Sequence, residues 1–153
     1  MIIKKGEKMG EMKKVNVDAR LLDKFRVEGR LGEHTCYIDQ PAGKGGEGTA
    51  PGPLEMFLFS LAGCILSIAR IAASQKRMQI DGMDLSIEGE LDPSGLMGME
   101  TSSRNGFERI EIKVRLDAPI SRGEKISFLE DIEKRCPVAD NILTATPVGI
   151  SLE

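Results

Sequence analysis

Apolar and polar residues alternate in several stretches of this chain. Val15, Val17, Ala19 and Leu21 interleave with Asn16, Asp18 and Arg20, the two-residue period of a half-buried strand. Phe25 and Val27 lead into Glu28-Gly29-Arg30-Leu31-Gly32-Glu33, whose glycines mark a turn or bulge. His34 to Ile38 makes a third short strand. The period returns in residues 79–91, with Ile80, Met83, Leu85 and Ile87. It returns again from Phe107 to Leu116, with Ile110, Ile112, Val114 and Leu116 inward. Residues 92–106 read as a long mobile hairpin connection, and Pro147 to Leu152 as a closing strand.

Two segments break this pattern. Residues 40–52 hold five glycines and two prolines and read as a loop; no Gly-Lys-Ser/Thr follows, which argues against a phosphate cradle. Pro53 suits the first turn of a helix, predicted to run to about Lys76. That helix is apolar nearly all round, so it must be covered on every side. One small sheet cannot do this, and the expectation is a central helix enclosed by sheet and by a second subunit. A second helix opens at Ser121, which forms a capping box with Glu124. Its apolar stripe is read as Ile126, Leu129, Ile132 and then Cys136. Val138 to Leu143 adds a short helix after Pro137.

Composition narrows the class. The 153 residues suit one domain, and 41% apolar content supports a real core. A net charge of −3 argues against a nucleic-acid binder. Within residues 1–14, five lysines against two glutamates leave a basic arm (1–13), ahead of a single domain over 14–153. The longest uncharged run, Met56 to Ala69, has 14 residues against about 20 for a membrane span. No apolar leader follows Met1. The expectation is a soluble, cytoplasmic protein with no membrane partner.

The chemistry lies in the cysteines. Cys36, Cys64 and Cys136 are odd in number and widely spaced, unlike a secreted disulfide framework. Cys64, in the apolar helix, reads either as a small hydrophobe or as a nucleophile, and the latter needs a nearby cation. Cys136 reads either as core packing or, if Pro137 opens a helix, as an N-cap whose thiolate the helix dipole favours. Should the two meet, the natural chemistry is sulfenic acid formation followed by disulfide closure. Spacing does not decide whether they meet. His34 and Cys36 form His-x-Cys on one strand face. No close ligand pair supports zinc, so neither a metal nor a cofactor is expected.

Pro53-Leu54-Glu55-Met56-Phe57-Leu58-Phe59-Ser60-Leu61-Ala62-Gly63-Cys64, followed 72 positions later by Arg135-Cys136-Pro137-Val138-Ala139-Asp140, resembles the OsmC/Ohr family of osmotically induced and organic hydroperoxide resistance proteins. Gly29-Arg30-Leu31-Gly32 resembles that family's arginine-bearing turn. The resemblance implies an α+β fold, with two long central helices packed between β-sheets in an intertwined homodimer. It implies thiol-dependent reduction of organic hydroperoxides, with Cys64 peroxidatic and Cys136 resolving. Arg30 would stabilise the thiolate and orient the peroxide, Glu55 would hold Arg30, and a small dithiol such as dihydrolipoamide would supply electrons. Leu54 stands where the best-defined peroxidase branch has Glu, so Glu55 comes one step later. Nine residues separate Glu55 from Cys64, about 180° and ~13.5 Å on an ideal helix, so Glu55 would act through Arg30 or across the dimer interface. An apolar wall of Phe57, Leu61 and Ile68, with Ile126 or Leu129 opposite, would favour organic peroxides. The rival reading is a non-catalytic dimer that binds a hydrophobic small molecule between helices.

Overall fold

A computed structural model of the chain describes residues 11–152, so most of the expected basic arm lies outside the described residues. The chain divides at Pro53 into two compact units.

The first unit is an antiparallel sheet of β1 (Asp18–Leu21), β2 (Val27–Leu31) and β3 (His34–Ile38), in that spatial order. Leu31 pairs with His34, leaving Gly32 and Glu33 as a two-residue turn. Gly32 has φ +63°, a left-handed conformation that glycine adopts without a Cβ penalty. Val15 and Val17 precede the strand rather than joining it, and both are exposed.

The glycine-rich loop after β3 folds around one carboxylate. Asp39 is 1% exposed. It accepts hydrogen bonds from the N–H groups of Gln40 (2.8 Å), Glu47 (3.2 Å) and Thr49 (3.0 Å), and from the Thr49 hydroxyl (2.9 Å). These donors, the Thr49 N–H first, hold the Asp39 pKa below its ordinary value. A Cβ at Gly46 would strike the Gln40 carbonyl, so only glycine fits there.

The second unit contains α1 (Pro53–Lys76), β4 (Gly82–Glu90), β5 (Arg109–Asp117), α2 (Arg122–Arg135) and α3 (Pro137–Leu143). β4 and β5 form an antiparallel hairpin in which Gly82 pairs with Asp117 and Glu90 with Arg109. The connection between them is hydrogen-bonded rather than loose. The Asp92 carboxylate accepts from the Ser94 N–H (2.9 Å) and the Thr101 hydroxyl (2.5 Å), and the Ser94 side chain first, then Thr101 and the Ser94 N–H, lower its pKa to about 2. The α2 cap is as expected: the Glu124 N–H donates to the Ser121 hydroxyl, and the Glu124 carboxylate accepts from the Ser121 N–H.

Leu61, Ile65, Ala69, Ala72 and Ala73 of α1 meet Phe128 and Ile132 of α2 and Cys136 in one core. Met83, Leu85, Ile87, Ile110 and Leu116 of the hairpin pack against it. The α2 stripe is therefore Phe128, Ile132 and Cys136, with Leu129 partly buried at its side. Ile126, expected inside, is half exposed. Spacings of four residues carry the buried line, which puts Ile126 off that face.

Leu54, Phe57, Phe59 and Leu66 of α1 remain exposed. By length and composition α1 would also pass as a membrane span, a test that the core helix of a soluble protein passes equally. The expected closing strand does not form. Val148, Ile150 and Leu152 alternate as a strand would, yet are almost fully exposed and pair with nothing among the described residues. The chain is α+β, as expected, with a three-stranded sheet, a two-stranded sheet and three α-helices among the described residues.

Candidate functional site

Pro137 places the second sulfur. Without an N–H and with a fixed φ, proline cannot continue α2 but can open α3. Cys136, at φ −85° and ψ 107°, caps both helices. Its N–H donates to the Glu133 carbonyl (3.3 Å), and its Sγ accepts from the Ala139 N–H (3.4 Å). The side chain is 1% exposed.

Cys64 projects from the middle of α1 and is half-buried. The Cys136 thiol faces it, with Sγ to Sγ 2.8 Å. Both cysteines are free thiols. A disulfide has S–S near 2.05 Å, so closure needs only a small approach of two sulfurs already in contact. Burial raises the Cys64 pKa above its ordinary value, and the proton shared with Cys136 raises it further. The Val138 N–H at the start of α3 works in the opposite direction.

Arg30 lies on β2, between Asp18 of β1 and Thr35 of β3 in register. It is exposed and lines a polar recess of about 280 Å³ with Asp18, Arg20 and Glu28. Glu28 is engaged by Arg20 (2.8 Å) and by the Tyr37 hydroxyl (3.2 Å). Among the described residues, Arg30 itself makes no ion pair. Glu55 occupies the exposed first turn of α1, where the helix dipole favours an acid. The two cysteines thus meet within the second unit, whereas Arg30 belongs to the first. Cys36 and His34 share one face of β3, with Cys36 opposite Gly29.

A cavity of about 330 Å³ opens in the second unit. Leu61 and Ile65 of α1, Ile110, Ile112 and Val114 of β5, and Leu129 and Ile132 of α2 line it, with Ala139, Ile142 and Leu143 of α3. Among the described residues, Glu133 is its one charged lining residue. Of the expected apolar wall, Leu61 and Leu129 belong to this cavity. Phe57 stacks on Phe107 instead, at 6.0 Å between centroids, and Ile68 packs against the core.

One cluster beside the cysteines escaped the sequence reading. Arg135 donates to the Gln75 side-chain carbonyl (3.0 Å) and pairs with Asp131 (3.5 Å), which also binds Lys76 (3.0 Å). Lys76 and Arg135 together lower the Asp131 pKa. The sequence showed Arg135 only as the neighbour of Cys136 and as the residue four after Asp131, a common helix-surface spacing.

The family model described as "OsmC-like protein" matches residues 45–151. A hydroperoxide reductase of Mycoplasma pneumoniae is 25% identical over 101 residues, 66% of this chain and 68% of that protein. Among solved structures, an OsmC-like protein from Mycoplasma pneumoniae superposes with a TM-score of 0.75 at 22% identity, over 87% of this chain and 89% of that one. An organic hydroperoxide resistance protein OsmC from Legionella pneumophila gives 0.64 at 19% identity, over 86% and 90%. The chain belongs to the OsmC-like protein family.

Proposed function

We propose that this protein is a thiol-dependent peroxidase that reduces organic hydroperoxides. The Cys64 thiolate attacks the terminal oxygen of ROOH. The O–O bond breaks, Cys64 becomes a sulfenic acid, and the alkoxide takes a proton and leaves as ROH. The Cys136 thiol then attacks the Cys64 sulfur. An S–S bond forms, the S–O bond breaks, and the hydroxyl leaves as water with the thiol proton. A small dithiol such as dihydrolipoamide returns the two electrons by thiol–disulfide exchange.

The observation that carries this reading is the 2.8 Å separation of the two sulfurs. Family membership and the name of the Mycoplasma relative support it. The raised Cys64 pKa sets a requirement: a cation must favour the thiolate. Arg30 is the guanidinium proposed for that task and for the departing alkoxide, with Glu55 orienting it. The apolar cavity suits the organic part of a substrate.

The working assembly proposed is a homodimer. The exposed Leu54, Phe57, Phe59 and Leu66 of α1, and the exposed Val148, Ile150 and Leu152, are what a second copy would cover. A cytoplasmic location is proposed because the mechanism needs reduced thiols.

The test is mass spectrometry after one equivalent of cumene hydroperoxide. A loss of two hydrogens and a Cys64–Cys136 cross-linked peptide are expected. Unchanged thiols would favour the rival reading, a binder that uses the cavity and employs its cysteines only as packing.

A further inference from the structure

The Cys136 sulfur must meet the Cys64 sulfenic acid from the side opposite its departing oxygen, so closure depends on how firmly the end of α2 is held against α1. α2 stops at Arg135, and Pro137 starts a new direction. Side chains hold that end: Ile132 and Cys136 pack in the core with α1, and a polar link is added beside them. The Arg135 guanidinium reaches across to Gln75 at 3.0 Å, and Asp131 reaches across to Lys76 at 3.0 Å. Arg135 also pairs with Asp131 at 3.5 Å, joining the two links into one clamp. Arg135 is the residue immediately before Cys136, and its side chain is only about a third exposed (31%).

We infer that Arg135, through its bond to Gln75, is a positioning residue for disulfide closure between Cys136 and Cys64. This rests on the peroxidase reading for its place in the reaction. The role is mechanical. The groups that shift the Cys64 thiol are burial, Cys136 and Val138, and the Arg135 charge is not among them. Loss of the clamp therefore leaves the first chemical step alone and slows the second.

The test separates the two steps in the full chain by rapid quench. Cumyl alcohol release reports attack by Cys64, and the ratio of dimedone-trapped sulfenic acid to disulfide reports closure. In Arg135→Met and in Gln75→Leu, alcohol release keeps the wild-type rate. Closure slows about 1.5- to fivefold, the range that a partly exposed polar link supports. The double variant is no slower than the slower single one, because both remove the same link. Arg135→Lys, which keeps a donor, recovers most of the closure rate.

Diamide, an azo oxidant that takes up the two thiol hydrogens as its hydrazine while the disulfide forms, provides a peroxide-independent measure. Its closure slows by the same factor in both variants. Unchanged closure in both variants, or equal slowing of alcohol release and closure, overturns the positioning role. Absence of alcohol from the wild type, with clamp-dependent closure by diamide, defeats the peroxidase reading and leaves the positioning geometry standing.

Discussion

Cys64 and Cys136 stand 72 positions apart in the chain, and their sulfur atoms lie 2.8 Å apart in the fold. Two packed helices and one proline bring this about. Ile132 and Cys136 are successive members of the buried α2 line, which packs on Leu61, Ile65 and Ala69 around Cys64. Pro137 then turns the chain so that Cys136 caps α3.

The shared proton gives the pair a directional response. Cys136→Ala removes the two influences of Cys136 that raise the Cys64 pKa, leaving burial opposed by the Val138 N–H. The pH midpoint for alkylation of Cys64 by iodoacetamide should therefore fall relative to wild type. A midpoint that stays put or rises would contradict the coupling. The raised pKa also favours the neutral thiol in the folded state. That contribution to stability is complete below the ordinary value of 9.0 and declines as pH rises through the folded value.

Arg30→Met should lower kcat/KM for cumene hydroperoxide by about tenfold or more, the scale of losing one charged donor at a developing anion. The melting temperature should barely move, since Arg30 is exposed and makes no ion pair among the described residues. Arg30→Lys should recover only part of the activity, because a point charge lacks the guanidinium fork. Full activity in Arg30→Met would remove Arg30 from the mechanism.

Asp39→Asn should destabilise the loop over 40–52. The amide keeps one acceptor oxygen, where the carboxylate takes four donors on two. Asp39 has a lowered pKa, so its contribution is present above the ordinary 3.8 and is lost as pH falls below that value. Thermal melts from pH 7 down to pH 3 should show a shallower acid limb in the variant than in wild type. Parallel limbs would contradict this.

Phe128→Ala should cost about 3–5 kcal/mol, the range for emptying a buried aromatic site. Phe128 is 1% exposed and sits where α2 meets α1. Ser121→Ala should cost about 1 kcal/mol through loss of the cap. Urea unfolding of both variants checks the order. A smaller cost for Phe128→Ala than for Ser121→Ala would place the core elsewhere.

Much of this was legible in the chain because local rules carried it. Pro53 and the apolar run placed α1, Ser121 and Glu124 placed the start of α2, and Cys136-Pro137 anticipated the shared cap. Non-local terms were not legible. The alternation at Val148, Ile150 and Leu152 was correctly seen, yet a strand exists only when another backbone pairs with it. Ile126 was assigned inward from a three-residue spacing, although the line Phe128-Ile132-Cys136 runs by fours. Asp39 carried no periodic signal, since its partners come from the loop that it organises. Arg135 was visible only as a neighbour of Cys136, and its reach to Gln75 spans 60 positions.

The central claim is tested most directly by counting alcohol released per chain from excess cumene hydroperoxide without any reductant. Wild type, and Cys136→Ser with dimedone present from the start to trap its sulfenic acid before further oxidation, should each release one equivalent, wild type ending as the disulfide and Cys136→Ser as the dimedone adduct at Cys64. Cys64→Ser should release none. One equivalent from Cys64→Ser, or none from wild type, would contradict the account.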